Sequence, residues 1–335
     1  MKRIVLSLIL SALFFSGSFA VTIDQLTNQV ISSLNNILTG AMTPISTVMA
    51  EHMGYYTGSG NVSPVDTAGN FQTEFGFGFG LNFTSVFFDV LAHQNPLTNS
   101  SNNPTDAFNN LGPAFSIIPF PYDDGYFKLG LPDLPMDVGV RFGIVPTISV
   151  TVNGSSFSYQ EIHFGAEARY VLWDFMSLLK VDARLSLDYD GGTIKYSYTG
   201  SDLEYVNGDP LDVGTNNYTV NFTYQWGGVS IGTKVMGGLN IPILGSLYGG
   251  LGLNMNLGSV TTSLGMNDSF SPDFANTGLS GTYPIATLNG SSQVGYNLFD
   301  IRTILGLKLF FFDFAWEYGL LNGDSAFSVF VAFKF

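Results

Sequence analysis

Between residues 71 and 83 the chain reads FQTEFGFGFGLNF, with Phe71, Thr73, Phe75, Phe77, Phe79, Leu81 and Phe83 on odd positions and Gln72, Glu74, Gly76, Gly78, Gly80 and Asn82 on even ones. Successive side chains of a strand point to opposite faces, so this segment predicts a strand with one aromatic face and one of glycine, amide and carboxylate. The same period recurs in MDVGVRFGI (136–144), EIHFGAEARYVL (161–172), KVDARLSLDY (180–189), YTVNFTYQW (218–226), VSIGTKV (229–235), LYGGLGLNMNL (247–257), IRTILGLKLF (301–310), FDFAWEY (312–318) and SAFSVFVAFKF (325–335). In most of them one face is apolar and the other gathers charge. Charges repeated on one face across so many strands belong to a polar interior, because a sandwich core tolerates few of them.

The apolar set changes parity at Asp190-Gly191-Gly192 and at Gly227-Gly228. Each change reads as a hairpin turn or as a bulge within a longer strand. Membrane barrels of bacteria keep short turns at one end and long loops at the other, which favours bulges. The polar segments 85–113, 199–216 and 258–297 then form outer loops, and residues 131–135, 173–177, 241–245 and the Phe311 region form inner turns. This solution has ten strands, within a range of eight to fourteen; two hairpins would make twelve.

Residues 21–66 follow another period. Ile23, Leu26, Val30, Leu34, Ile37 and Leu38 recur at helical spacing, with Gly40 as a stop and a second short helix from Pro44 to His52. Ahead of this segment, Lys2 and Arg3 precede an apolar run from Ile4 to Phe15 and then Ser18-Phe19-Ala20, the pattern of a secretory signal cut after Ala20. The expected organisation is a signal peptide over 1–20, a helical plug or periplasmic segment over 21–66, and a barrel over 67–335.

Composition narrows the class. Only 11% of residues are charged, 15% are aromatic and 39 are glycine, against about 25% charged in an average soluble domain. After the signal no stretch of 18 apolar residues occurs, so no membrane-spanning helix is predicted. An aromatic, charge-poor chain with its apolarity hidden in alternation fits a closed antiparallel barrel, which satisfies its backbone groups in lipid without helices. The absence of cysteine excludes disulfides and thiolate metal sites. A net charge of −14 argues against nucleic acid as a partner.

The chain ends on an alternating strand with Phe327, Val329, Val331, Phe333 and the terminal Phe335 on one face. With the signal segment and the alternation, this resembles the C-terminal assembly signal of bacterial outer-membrane β-barrel proteins. The resemblance implies an all-β, transmembrane, up-and-down antiparallel barrel with an N-terminal helical segment, located in the bacterial outer membrane, with outer-membrane lipid and the barrel-assembly machinery as partners. Helices ahead of the first strand also resemble the hatch of the long-chain fatty-acid transporter family, although no hatch motif matches and the chain is shorter.

Parity assigns Glu74, Asp137, Arg141, Glu161, His163, Glu167, Arg169, Lys180, Asp182, Arg184, Asp300, Arg302 and Lys308 to the lumen lining, with Asp188, Lys195, Lys234, Asp313, Glu317 and Lys334 beside them. Their simplest role is to pair across strands and fill a narrow lumen; a solute path is the alternative. Trp173, Trp226, Trp316, Tyr170, Tyr189 and Tyr318 read as interfacial girdles. His163 beside Glu161 and Glu167 could relay a proton, but no nucleophile motif, phosphate loop, dinucleotide fingerprint or zinc spacing accompanies it, so neither an enzyme nor a cofactor or metal site is expected. The stripe Leu26, Val30, Leu34 and Ile37 is a candidate gate helix, placed inside or across the periplasmic mouth against Gly76, Gly78 and Gly80. Three functions follow in order: a narrow channel or transporter for small solutes, hydrophobic ones included; a structural or surface-interaction barrel with a packed lumen; and a rim hydrolase.

Overall fold

A computed structural model describes residues 23–59, 72–83, 120–152, 154–205, 213–241, 245–273 and 283–335. The signal segment and the 85–113 loop lie outside the described residues. One helix, α1 (Ile23–Gly58), precedes eleven strands: β1 (Thr73–Phe83), β2 (Phe120–Gly130), β3 (Met136–Val152), β4 (Ser155–Phe175), β5 (Leu179–Tyr205), β6 (Val213–Ile241), β7 (Gly245–Asp273), β8 (Tyr283–Gly295), β9 (Phe299–Leu309), β10 (Phe312–Gly319) and β11 (Ser325–Lys334). Neighbours pair antiparallel in chain order, and β1 pairs with β11 to close the sheet. β8 and β9 both pair with β7, β8 along Ser259–Phe270 and β9 along Ser246–Met255, so the two are successive pieces of one wall position. The closed ring therefore has ten positions.

Thr73, Phe335 and the turns at 131–135, 176–178 and 310–311 share one end of the barrel, here the near end. The far end is uneven. β5, β6 and β7 have 27, 29 and 29 residues, whereas β10 has 8, and about 9–11 residues suffice for a tilted strand to cross a bilayer. One side of the wall thus rises well past the height needed to span lipid. Much of the sequence assigned to outer loops at 199–216 and 258–297 belongs to these tall strands.

Neither parity change is a turn or a bulge. β5 and β6 run unbroken through Gly191-Gly192 and Gly227-Gly228, in continuous register with each other and with β7. Even positions face inward throughout: Asp188 and Asp190 below, Ile194 above; Ser230 and Lys234 below, Trp226 and Tyr224 above. What inverts is the chemistry on each face.

The glycines of β1 serve a purpose other than seating the helix: the atoms nearest to them belong to the wall. A Cβ on Gly76, Gly78 or Gly80 would stand 2.4, 2.1 or 2.0 Å from the rings of Tyr126, Phe330 and Tyr122 respectively. Each ring belongs to the residue directly opposite on the neighbouring strand. The small side chain lets the partner's aromatic lie flat across the inner wall, a cross-strand pairing that fixes register. Gly306 and Tyr248 form another pair of this type.

Helix α1 is continuous where two helices were expected. Pro44 cannot donate to the carbonyl of residue 40, and its ring crowds that turn, but residue 40 is glycine with open space around it. Tertiary contacts hold the helix on both sides of the site, so neither Gly40 nor Pro44 ends it.

Candidate functional site: the filled lumen

All thirteen residues assigned to the lumen lining are buried on the inward face, Lys180 being the most accessible at 8%. In the near half they form a chain of ion pairs. Arg169 holds Asp137 with both Nε and Nη2, lies 3.9 Å from Asp182, and Asp182 in turn accepts from Arg184 Nε at 2.8 Å. Glu167 stands 4.0 Å from Arg184 and 3.6 Å from Lys128. Across the barrel Arg302 pairs with Asp300 and, at 3.1 Å, with Glu317, while Lys308 approaches Glu74 to 3.8 Å. Side chains this buried need such partners, because an isolated charge out of water costs several kcal/mol.

Higher in the lumen Arg141 bonds Asp188 at 3.0 Å and Asp124 at 3.3 Å, and His163 Nε2 lies 3.5 Å from Asp124. Asp124 and Lys128 were missed in the sequence. The alternation Tyr122, Asp124, Tyr126, Lys128 within FPYDDGYFKLG carried the signal, but the adjacent Asp123, which faces outward, obscured it. Lys195, expected inside, is exposed on the outer wall. Trp226, expected in a girdle, is 3% exposed and donates from Nε1 to Asp190, whereas Trp173 and Trp316 face outward.

The far half of the lumen is occupied by α1. The helix descends from the far end: Asn35 accepts from the Asn289 backbone N–H, Ser46 lies 2.5 Å from Thr262, and the tip at Gly58 reaches Asn254 and Ser230. It therefore does not lie across the near mouth. The buried part lies within residues 42–59; of the stripe, Val30 and Leu34 are half-buried and Ile37 is 65% exposed, and the Leu26 side chain lies outside the description. Val48, Met49, Met53 and Tyr56 pack against Tyr159, Ile194, Tyr224, Trp226 and Val260 of the wall. A Cβ on Gly54 or Gly58 would stand 2.7 or 2.2 Å from Asn256 or Asn254, so these glycines, one turn apart, let the helix approach β7.

The tip has no basic residue of its own in its last turn. Two arginines from the wall supply the missing cap. Arg302 Nη2 donates to the Tyr55 carbonyl at 3.2 Å and Arg141 Nη1 to the Ser59 carbonyl at 3.1 Å. Both meet the orphan carbonyls and negative dipole end of the helix. Tyr56 donates to Glu161 at 2.5 Å, and His52 Nδ1 lies 2.8 Å from Asp324. The space left beneath the tip, lined by Tyr56, Ser59, Asn82, Arg141 and His163, is about 10 Å³, roughly one water molecule. Among the described residues no group of three or more His, Asp or Glu is arranged to hold a metal.

The exterior completes the picture. The cross-strand row Phe142, Phe164, Tyr189, Val229 and Leu257 and the rows nearer the turns face outward with Val140, Leu187, Leu251 and Phe77 more than half exposed. A closed antiparallel ring with an apolar belt outside and charge inside is a transmembrane β-barrel. The C-terminal residues Phe327, Val329, Val331, Phe333 and Phe335 lie on this outer face, beside β1.

No family model and no curated protein matches the chain. Among solved structures, a major outer membrane protein from Thermus thermophilus is similar at 12% identity over 78% of this chain and 99% of that one, with a TM-score of 0.30. The translocator domain of the autotransporter NalP from Neisseria meningitidis is similar at 10% identity over 87% and 98%, with a TM-score of 0.34. The Pseudomonas putida toluene transporter TodX follows at 9% identity over 86% and 92%, with a TM-score of 0.22. Scores this low add nothing to the architecture described above.

Proposed function

We propose that the protein is a bacterial outer-membrane barrel that passes small solutes when α1 leaves its seat, with the near end in the periplasm and the far end outside. The observation that carries this reading is that the ring closes without the helix, β1 pairing with β11. The ten positions close on themselves and the near-half charges pair chiefly with one another, so α1 is a separable stopper. Withdrawn, it would uncover an aromatic chamber of Tyr159, Tyr224 and Trp226, a surface suited to solutes with apolar or aromatic faces. No catalytic role is assigned: His163 faces Asp124, and the Tyr56 and Ser59 hydroxyls beside it bond to Glu161 and to Asn82 and the Tyr56 carbonyl. The structural or surface-interaction reading is favoured by a different observation, the near-half ladder that itself fills the lumen. Phe335 and its strand would be read by the barrel-assembly machinery, the role that its resemblance implies.

The chain has no cysteine, so a disulfide can be introduced cleanly. Ser46→Cys with Thr262→Cys should lock α1 to β7. Single-channel recording should show low conductance for the full chain, higher conductance after deletion of 21–66, and, in the double variant, activity that appears only on reduction. A deletion variant that remains folded, judged by different gel migration before and after boiling, yet conducts no more than the full chain would replace the channel with the structural barrel.

A further inference from the structure

Above the row of Phe164 and Tyr189, the outer wall of β4–β8 changes from apolar to polar within two rows. First comes a row of Ile162, Gly191, Gly227, Ser259 and Gly295. The next is Gln160, Thr193, Gln225, Thr261 and Gln293, directly opposite one another across five strands. Above it lie Ser158, Lys195, Thr223, Ser263 and Ser291, and then Ser156, Ser197, Asn221, Gly265 and Asn289. The polar side chains of these rows are exposed or half-exposed on the outer face. Members bond to one another or to the adjoining strand in places, as Gln293 does to Ser259 at 2.9 Å and Gln160 to Thr147 of β3 at 2.8 Å.

Water alone does not demand this composition. An ordinary soluble surface carries roughly 25–35% charged side chains, and this chain has acids enough to supply them, yet Lys195 is the one charge in the three rows. The array offers hydroxyls and amides, each able both to donate and to accept, at the regular spacing of a sheet. A surface without net field selects neither for an anion nor for a cation. Its chemistry matches that of a neutral polyhydroxylated chain. Its position adds the source: it begins immediately above the lipid-facing belt, on the outside of the wall, at the level of the lipid headgroups and of whatever those headgroups carry.

We infer that the polar rows of β4–β8 form a docking face for neutral saccharide chains borne by lipids of the surrounding outer leaflet. This takes the far end as the exterior, as proposed above, and is independent of whether α1 gates. The test uses the full chain carrying a single Thr261→Cys, reconstituted in bilayers whose outer leaflet is lipopolysaccharide with a neutral polysaccharide or the same lipid truncated to its lipid A. A bulky maleimide should label the cysteine severalfold more slowly under the long glycan. A reference cysteine at Ile37, exposed on the helix, should be slowed less. Adding Thr193→Glu and Gln225→Glu beside Thr261→Cys should abolish the selective protection while the barrel stays folded by gel migration.

Equal slowing at positions 261 and 37, or protection that survives the two glutamates, would overturn the proposal. Protection by free polysaccharide over truncated lipid would assign the face to a soluble glycan, and protection that follows protein density would assign it to a second copy; either result overturns the leaflet source. Conductance is not a readout here, so failure of this inference and failure of the gate can be told apart.

Discussion

Above and below the row of Phe142, Phe164, Tyr189, Val229 and Leu257 the same strands do opposite work. Below it the outside of the wall is apolar and the inside is a ladder of arginine, lysine and carboxylate. From the second row above it the outside of β4–β8 is threonine, serine and amide, and the inside is aromatic because a helix lies there. Two unrelated boundaries, the edge of the lipid and the tip of the helix, fall at nearly the same height. Each face of a strand answers to the medium it touches, so both faces exchange character together without any change of geometry. The comparison teaches that alternation records the two media on either side of a sheet, and that a reversal of alternation is a change of medium as readily as a change of direction.

The largest expected effect tests the lower half. Arg169 is fully buried between Asp137 and Asp182, and Arg169→Ala leaves both carboxylates without it, so it should cost about 3–5 kcal/mol of stability. The urea midpoint of the folded barrel in detergent measures this. The helix should keep its protease resistance below the transition, since its seat lies in the other half of the lumen; a loss under about 1 kcal/mol would mean that the ladder is not a buried network.

In the upper half the corresponding change is Met53→Ala, at a residue with no exposed surface in the apolar seat. Its cost should be about 2–5 kcal/mol. The readout differs: α1 should become cleavable by protease at denaturant concentrations where the barrel still migrates as folded. Simultaneous loss of wall and helix would show the two halves to be one cooperative unit.

A smaller effect separates packed from open glycines. Gly80→Ala drives a methyl into the ring of Tyr122 and should destabilise by about 1–3 kcal/mol. Gly237→Ala meets nothing closer than 4.0 Å and should stay within about 0.5 kcal/mol. The difference in their thermal midpoints is the measurement. Least of all should follow from Lys195→Ala, expected within about 0.5 kcal/mol because the side chain stands free of the lumen. Amine-reactive labelling of intact protein should modify Lys195 and spare Lys234, which is 2% exposed; labelling of Lys234 and not of Lys195 would reverse the inside and outside of the wall.

Alternation along the chain was enough for the class of fold and for the composition of the inner wall in the lower half. Parity alone put Glu74, Asp137, Arg169, Asp182, Arg184, Asp300 and Arg302 on one face, because within lipid every outward position must be apolar and the inward positions are the only place left for charge. It also favoured ten positions over twelve, through the asymmetry of short turns and long connections. Which carboxylate each arginine meets was beyond it, since pairing depends on register between strands far apart in the chain, as with Arg141 and Asp188. The place of the helix follows from packing between segments far apart in the chain. Its N-terminal stripe at Leu26, Val30, Leu34 and Ile37 has the clearer helical period, yet burial falls on Met42 to Ser59, where histidine, serine and tyrosine find polar partners that the wall supplies. The seat was legible only as an apparent reversal at Gly191 and Gly227, because Ile194, Tyr224 and Trp226 are apolar on account of a neighbour that no local pattern contains.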